Sequence, residues 1–412
     1  MDKEELIPHL FRNEFRKIIA VLCKAFGIEH ISLAEDIAGE TFLSALETWP
    51  YRGIPENPVA WLYAVAKNKA RNQLIRQKIF KEKVAPQIRS GSEIEPETEL
   101  DLSEKNITDS QLQMLFAVCH PAIPVEAQIG LALRILCGFG IEEIAHAFLT
   151  NKETINKRLF RAREKLRQEN IPIEFPGKEE MKARLYAVLT TLYLLFNEGY
   201  YSESQDSILR EDLCLESMRL TRLLIDFEKT DLPEVNALLS LMCFHASRFP
   251  ARKDANGEII LYDDQDESLW DQELIKQGAY YLRRSAKGER ISKYHLEAHI
   301  AYWHTIKTDS HEKWENILQL YNQLLQLSYS PVAALNRTYA LAKANGPEEA
   351  IREAEKLGLT DNHFYYVLLG ELYRGFDQEK AIVHFKKAVS LARTQTDRNT
   401  ILKKLESLVI RK

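Results

Sequence analysis

The sequence lacks the features of a membrane or secreted protein. It has no apolar run long enough to cross a bilayer, and its start, MDKEELIPHL, is too charged for a secretion signal. Only five cysteines occur in 412 residues, and they are widely spaced with no CxxC pair. This pattern disfavours a disulfide framework and a cysteine zinc site, and predicts buried free thiols in a reducing compartment.

Motifs of catalysis are equally scarce. We find no Ser/His/Asp arrangement, no glycine-rich phosphate loop and no cluster of metal ligands, so we predict neither an enzyme nor a cofactor. Asp263, Asp264 and Asp266 lie close together, but without the ligand spacing and central glycine of an EF-hand. We interpret them as part of a solvated or interdomain loop. The formal net charge of −5 does not indicate a nucleic-acid binder, although a global average hides local asymmetry.

Helical periodicity is abundant, and the length predicts two to four domains. We expect an all-α fold with two small helical domains, the second containing a helix-turn-helix, followed by a larger helical domain. The predicted boundaries are 1–83 for the first domain, 84–109 for an acidic flexible linker, 110–170 for the second domain and 171–412 for the C-terminal domain.

The helix-turn-helix is predicted within residues 138–168. Thr150 and Glu153 have the spacing of a capping box at the start of its second helix. Most of that helix is polar and rich in lysine and arginine. Its predicted buried stripe follows a period of 3.6 residues and consists of Ile155, Leu159, Ala162 and Leu166.

The first domain shows similar signals. Ser32 and Glu35 suggest a capping box, and Asn57 followed by Pro58 suggests a helix start. The buried side of the earlier helix is predicted to comprise Leu33, Ile37, Phe42 and Leu46. The later helix carries a basic stripe of Lys67, Arg71, Lys78 and Lys81.

The C-terminal domain contains a repeat of thirty-four residues, the period of tetratricopeptide helix pairs. Leu335, Asn336 and Tyr339 recur as Leu369, Gly370 and Tyr373. Small residues at such positions let paired helices approach closely while aromatic residues fill the gaps. A hairpin or ordered loop is expected at 256–257, where Asn is followed by Gly.

The two N-terminal domains resemble an extracytoplasmic-function (ECF) sigma factor, a small member of the sigma-70 family that holds only regions 2 and 4. The motifs are AEDIAGETFLSALETWP and EIAHAFLTNKETINKRLFRAREKLR, in that order and separated by a linker. The remainder resembles the ECF subgroup with a tetratricopeptide-like C-terminal extension, through LYLLFNEGYYSES and SPVAALNRTYALAKANGPEEAI.

The resemblance implies two kinds of partner, core RNA polymerase and promoter DNA, in the cytoplasm of a bacterium and associated with its nucleoid. The helix over residues 32–49 would dock on the β′ clamp helices, and the second domain would meet the β flap. The candidates for contact with core polymerase are Asp36, Glu40 and Thr41. A membrane partner is not expected.

The loop over residues 51–57 and the helix after it match the part of the family that melts and captures the −10 element. The candidates for this contact are Trp61, Lys67, Asn68, Arg71, Asn72, Arg76 and Lys78. Asparagine can hydrogen-bond a base edge or a phosphate, and the basic residues can neutralise phosphates. Trp61 either packs in the core or serves as a stacking platform.

The family places the −35 element against the start of the second helix of the helix-turn-helix. The candidates for this contact are Lys152, Glu153, Asn156, Lys157, Arg158, Arg161, Arg163 and Lys165. The first four lie in the first two turns, where side chains reach the major groove, and the others would grip phosphates. Glu153 would otherwise act in the capping box.

The extension would regulate the factor or recruit a protein or small ligand. Within FNEGYYSES, the residues Asn197, Glu198, Tyr200 and Tyr201 form either a polar helix end or a regulatory surface. A different function is also compatible with the sequence, namely a helix-turn-helix DNA-binding regulator that works without polymerase.

Overall fold

A computed structural model describes residues 3–84, 100–148, 150–200, 210–252, 260, 262–288, 290–392 and 395–409. Over these residues the fold is all-α, as predicted. The chain divides into two compact units, Met1–Leu194 and Leu195–Lys412. No helix among the described residues is both long enough and apolar enough to span a membrane.

The described residues of the first unit form eight α-helices, the last of which continues past Leu194. They are α1 (Lys3–Phe26), α2 (Ile31–Arg52), α3 (Pro58–Val84), α4 (Glu104–Val118), α5 (Val125–Leu131), α6 (Ile141–Ala147), α7 (Lys152–Gln168) and α8 (Lys178–Tyr200). A π-helical segment continues α5 to Leu136. Helix α1 packs against both α2 and α4, and its inward-facing Ile18 and Ile19 are fully buried.

Helix starts show which capping predictions hold. The Ala60 N–H donates to Asn57 Oδ1 at 3.0 Å with Pro58 at the first position of α3, so the predicted start of α3 is confirmed. The capping box of Ser32 with Glu35 is wrong. Helix α2 already begins at Ile31, after a 3₁₀ turn over residues 28–30, and it has no side-chain cap.

The predicted linker is shorter than expected at its C-terminal end. Ser103 caps α4 by accepting from the Asn106 N–H, so residues 104–109 are helical. Their polar sequence led to the prediction of a linker. A good N-cap and helix-forming residues nevertheless stabilise a helix here, although the segment is not apolar. Residues 85–99 of the predicted linker lie outside the described residues.

Helices α6 and α7 form the expected pair joined by a short turn. The buried stripe of α7 is confirmed, since Ile155, Leu159, Ala162 and Leu166 are its buried residues. Its cap is Asn151, whose Oδ1 accepts from the Thr154 N–H at 2.8 Å, so the predicted capping box of Thr150 and Glu153 is wrong by one residue.

Helix α8 contributes to the first unit beyond the predicted domain end near residue 170. Arg184 donates to the backbone oxygen of Phe116 at 2.7 Å, and the Thr191 hydroxyl donates to Gln128 Oε1 at 3.3 Å. Both bonds connect α8 to the helices that precede α6, so the predicted boundary at 170/171 lies inside a compact unit.

The second unit is a series of paired helices. They are α9 (Glu211–Asp226), α10 (Pro233–Ala246), α11 (Gln272–Ser285), α12 (Lys293–Trp303), α13 (His311–Leu327), α14 (Pro331–Asn345), α15 (Pro347–Leu357), α16 (His363–Tyr373), α17 (Gln378–Leu391) and α18 (Gln395–Val409). Residues from α12 to α18 share one apolar core. The hairpin predicted at 256–257 lies outside the described residues.

Close packing in this core explains the glycine of the repeat. A Cβ on Gly370 would lie 2.9 Å from the ring of Phe385, which is fully buried. A real Cβ does not sit that close to a ring, so glycine is what allows α16 and α17 to approach.

All five cysteines are buried thiols that are not joined in disulfides, as predicted. Burial raises the pKa of the thiols of Cys119 and Cys243 to about 12. The pKa of the Cys214 thiol is also raised by burial.

Candidate nucleic-acid interface

Helix α2 presents an acidic face. Asp36 and Glu40 are exposed, and Glu40 forms an ion pair with Lys69 of α3 at 3.1 Å. Thr41, predicted as a polymerase contact beside Asp36 and Glu40, does not belong to this exposed face. It is fully buried, and its hydroxyl donates to the Ile37 backbone oxygen at 2.7 Å, so a partner protein cannot reach it on this surface.

Exposed apolar side chains lie beside the acidic residues. Leu43 and Leu46 are each about half exposed, at 52% and 53%, and Tyr51 near the end of the helix is 89% exposed. Leu46 was expected on the buried side, so that prediction is wrong. Apolar groups flanked by carboxylates on one helix face are typical of a protein-binding surface.

Helix α3 carries the candidates for the −10 contact. Trp61 is partly buried, with its ring edge-to-face against buried Trp49 at 5.4 Å between centroids, so it both packs and keeps an exposed part. Asn68, Arg71 and Asn72 are exposed at i, i+3 and i+4 and share one face. The side chains of Arg76 and Lys78 lie outside the described residues.

The chain that leads into α4 lies next to α3. Residues 100–102 line an open cavity of about 410 Å³ together with Tyr63, Ala64 and Lys67. Leu100 is buried there. Hydrogen bonds from Ser103 lower the pKa of the neighbouring Asp101, and nearby positive charges, Lys67 among them, lower it further. Asp101 therefore places a negative charge near Lys67 of α3.

Helix α7 concentrates positive charge in a groove. The groove has a volume of about 560 Å³ and is bounded on its other side by residues 122–127, which form the end of the turn after α4 and the start of α5. We call it the α7 groove. Its basic residues are Lys157, Arg158, Arg161 and Lys165.

The α7 groove stays open to a ligand although three of its cations, Lys157, Arg158 and Lys165, have local partners. Lys165 pairs with Glu169 at 2.6 Å, and Arg158 lies over the Phe148 ring at 5.4 Å. Such exposed pairs contribute little to stability and exchange readily for a phosphate. The groove therefore provides a ready positive surface for a polyanion.

The polar side chains at the start of α7 are exposed. Lys152, Glu153 and Asn156 are exposed; Lys152 pairs with Glu142, and Glu153 lies 3.9 Å from Lys157. Because Glu153 does not cap the helix, its side chain is available at the surface.

Arg163 belongs to a different surface from the other basic residues of α7. It points to the start of α2, where Nη1 donates to the Ser32 hydroxyl at 3.3 Å. A second link, from Arg134 to Glu35 at 2.7 Å, is half-buried. Sequence reasoning missed these contacts, because they join residues about a hundred positions apart.

The candidate regulatory surface is only partly exposed. Asn197, Glu198 and Tyr200 are all half-buried, and Tyr201 lies outside the described residues. The Tyr200 hydroxyl accepts a hydrogen bond from Arg248 at 3.0 Å, and Arg252 lies 4.0 Å above its ring. Sequence reasoning missed both arginines. The sequence signal for them was a pair of basic residues in SRFPAR, directly after the mostly buried helix α10.

Comparison with known families identifies the N-terminal helices. The family model described as Sigma-70 region 2 matches residues 11–79, which cover most of α1, all of α2 and most of α3. The chain belongs to the sigma-70 family. As a sigma-70-family factor it has a role in transcription initiation, with core RNA polymerase and promoter DNA as partners.

Region 2 is followed by less characterised sequence. A family of unknown function, DUF6596, matches residues 184–286. The chain is 34% identical over 387 residues to an uncharacterized protein, R00370, of Rhizobium meliloti (strain 1021), covering 92% of this chain and 90% of that protein. No solved structure matches the chain.

Proposed function

We propose that the protein is an ECF-type sigma factor with two DNA-binding modules and a regulatory tetratricopeptide-like extension. Region 2 docks on core polymerase through α2 and captures the −10 element through α3. The pair α6–α7 acts as a helix-turn-helix that binds the −35 element. The observation that carries the proposal is one unit holding both region 2, with its acidic and apolar α2 face, and the basic α7 groove.

The α2 face supports the polymerase contact. Asp36, Glu40 and Leu43 are spaced i, i+4 and i+7, so they lie along one side of the helix. Carboxylates at its exposed positions favour a basic partner surface, and Leu43, Leu46 and Tyr51 supply apolar area beside them. The Glu40–Lys69 pair is mostly exposed, so breaking it on docking costs little.

The α7 groove supports the DNA contact. Its four cations can neutralise phosphates, while Lys152 and Asn156 at the exposed start of the helix can reach base edges. A specific base contact of this kind is worth roughly 1–3 kcal/mol of discrimination. Phosphate contacts instead give affinity that falls steeply with salt.

The polymerase contact is tested with the double variant Asp36→Ala/Glu40→Ala. We expect it to lose binding to core polymerase and promoter-dependent transcription in vitro while DNA binding persists. The matched control is Glu174→Ala/Glu179→Ala, which removes two exposed carboxylates of the same unit away from α2. The promoter is found by mapping transcript starts after overexpression.

The same experiment separates the proposal from a polymerase-independent DNA-binding regulator. If the wild-type protein binds its DNA but never binds core polymerase, the regulator is the correct function. Normal transcription by the Asp36→Ala/Glu40→Ala variant would show that the α2 face is not the docking surface.

The DNA contact is tested by comparing two single charge removals on α7. Arg161 lines the groove, whereas exposed Arg167 lies outside it and pairs with Glu164 at 2.6 Å. Arg161→Ala should weaken binding and reduce the slope of log K against log salt by about 1, the effect of one phosphate contact. Arg167→Ala should change neither; equal effects would argue against the groove.

The role proposed for the extension is to set the activity of the factor or to recruit a protein or small ligand. The close Gly370–Phe385 approach supports the tetratricopeptide-like interpretation, since such repeats need small residues between paired helices. Removal of residues 195–412 tests the role, because the first unit extends to Leu194. Unchanged promoter output from the shortened chain, with its helical content intact, would refute regulation.

A further inference from the structure

Two arginines of the second unit are buried without an acidic partner among the described residues. Arg248 and Arg252 follow α10 and are only 8% and 9% exposed. Arginines this deep normally pair with a carboxylate or another anion, because an uncompensated buried charge is unfavourable. Here neither guanidinium forms an ion pair with any carboxylate of the part of the chain that the structure describes.

Neutral groups contact these arginines instead. Arg248 donates through Nη2 to the Tyr200 hydroxyl at 3.0 Å and to His245 Nδ1 at 3.3 Å. Its Nε is buried and has no hydrogen-bond partner. Arg252 stacks over the Tyr200 ring at 4.0 Å. We call Tyr200, His245, Arg248 and Arg252 the arginine cluster.

The surroundings add positive charge. Lys313 is 1% exposed and donates to the Ile306 backbone oxygen and the Tyr262 hydroxyl, which are both neutral. Burial, together with the nearby arginines, keeps the pKa of His245 well below its usual value, so this imidazole is neutral. Lys313 also acts on the Asp309 carboxylate, so the charge that lacks an acidic partner among the described residues is that of Arg248 and Arg252.

The chemistry of the cluster matches one kind of ligand. A guanidinium has five N–H donors in a planar fork that fits the oxygens of carboxylate and phosphate. Aromatic rings beside it offset only part of the cost of burying the charge. Tyr200 remains partly exposed, so a small molecule can reach the cluster from solvent.

We propose that the arginine cluster is a binding site for the oxyanion group, phosphate or carboxylate, of a small molecule. Arg248 and Arg252 would hold the oxyanion, and the Tyr200 ring would pack against the rest of the ligand. The site lies within residues 184–286, for which no function is known. It would make the second unit a sensor of a small anionic metabolite, a property that does not depend on the sigma-factor role.

The test uses the full chain and two probes, inorganic phosphate and malonate. Thermal unfolding of the second unit is followed as each probe replaces chloride at constant ionic strength. We expect one probe to raise the Tm saturably, by roughly 5 °C at a hundredfold excess over Kd. The probe that does so identifies the oxyanion class. Arg248→Gln and Arg252→Gln should abolish the rise, and Arg283→Gln, an exposed arginine of α11, should retain it.

A second measurement covers variants that fail to fold. For the wild-type protein, saturable line broadening in the ³¹P spectrum of phosphate or in the ¹H spectrum of malonate, whichever raises the Tm, reports binding directly. The Arg252→Gln variant, checked by circular dichroism, should show no broadening.

Three results would overturn the proposal. The first is an identical Tm in chloride, phosphate and malonate, and the second is an equal anion effect in Arg252→Gln and the wild type. The third is anion binding that appears only after Glu203 and Asp206, which lie outside the described residues, are changed to Gln and Asn. In that last case the chain's own carboxylates would supply the counter-charge.

Discussion

His304 allows a test of the arginine cluster's surroundings through pH. Its ring lies between those of Tyr262 and Trp314, at 5.2 and 6.0 Å between centroids. Burial, aided by Arg248 and Lys313, lowers the pKa of His304 to about 3. In the unfolded chain the pKa returns to about 6.5. Between these values only the unfolded state binds the proton, so stability is lost as the pH falls below 6.5.

The magnitude follows from the two pKa values. Each pH unit within this window costs about 1.4 kcal/mol for one proton. Because the unfolded histidine is already partly deprotonated near 6.5, lowering the pH from 7 to 5 should destabilise the second unit by about 2 kcal/mol through His304 alone. The variant His304→Gln has no proton to bind there, so its loss of stability should be smaller by that amount.

The assay can isolate the second unit by fluorescence. Of the five tryptophans, Trp49 and Trp61 lie in the first unit and the other three, Trp270, Trp303 and Trp314, in the second. Replacing the first two by phenylalanine leaves a signal from the second unit only. Urea unfolding at pH 7 and pH 5 then gives the free energy of unfolding for each variant. His311→Gln, at an exposed position, controls for the loss of one histidine.

The comparison depends on the difference between variants, since carboxyl groups that titrate in the same range contribute equally to both. If His304→Gln and the unchanged chain lose the same free energy from pH 7 to pH 5, the imidazole is protonated in the folded state. The inferred burial of a neutral ring beside Arg248 would then be incorrect.

Two further predictions concern packing and capping. Gly370→Ala should destabilise the second unit by about 1–3 kcal/mol in urea unfolding, because the added Cβ would collide with the Phe385 ring. Gly375→Ala is the control and should cost far less, since a Cβ there would have nothing within 4 Å. Equal losses of stability in the two variants would rule out the close approach of α16 and α17. Asn151→Ala should cost about 1 kcal/mol of stability in the first unit and Thr150→Ala almost nothing, since only Asn151 caps α7. A larger loss of stability in Thr150→Ala than in Asn151→Ala would show that Thr150 is the cap, as predicted from the sequence.

Local patterns explain why much of the first unit was predictable. The buried stripe of α7 follows a helical period, and Asn57 followed by Pro58 is a strong start signal for α3. Such features depend on residues within two turns of each other. The position of a cap is harder to place, because Thr150 and Asn151 are both capping residues and only the backbone conformation selects between them.

Burial along α2 was less predictable for a related reason. The Thr41 hydroxyl donates a hydrogen bond to the backbone oxygen of Ile37, four residues earlier, so burying it costs little free energy. A hydropathy scale does not include this hydrogen bond. Leu46 is exposed although it is apolar. An exposed leucine is compatible with a surface that a partner protein covers. The apolar periodicity of one chain does not distinguish a residue buried in its own core from one buried by a partner.

The arginine cluster could not be predicted from local pattern. Tyr200 and Arg248 are separated by forty-eight residues and meet only in the folded unit. The sequence marks Tyr200 as part of either a polar helix end or a regulatory surface, but nothing nearby marks the arginines as buried. Sites assembled by tertiary contacts need the fold before their chemistry becomes visible.

The burial of every native thiol has a practical consequence. Because Cys23, Cys119, Cys137, Cys214 and Cys243 are all shielded, maleimide reagents should leave the folded protein almost unmodified. A single cysteine introduced at an exposed position such as Tyr51 or Phe160 would then be the only site labelled. Spin or fluorescence labels can thus be attached pairwise without first removing the native cysteines, and distances within the first unit can be followed as polymerase and DNA bind.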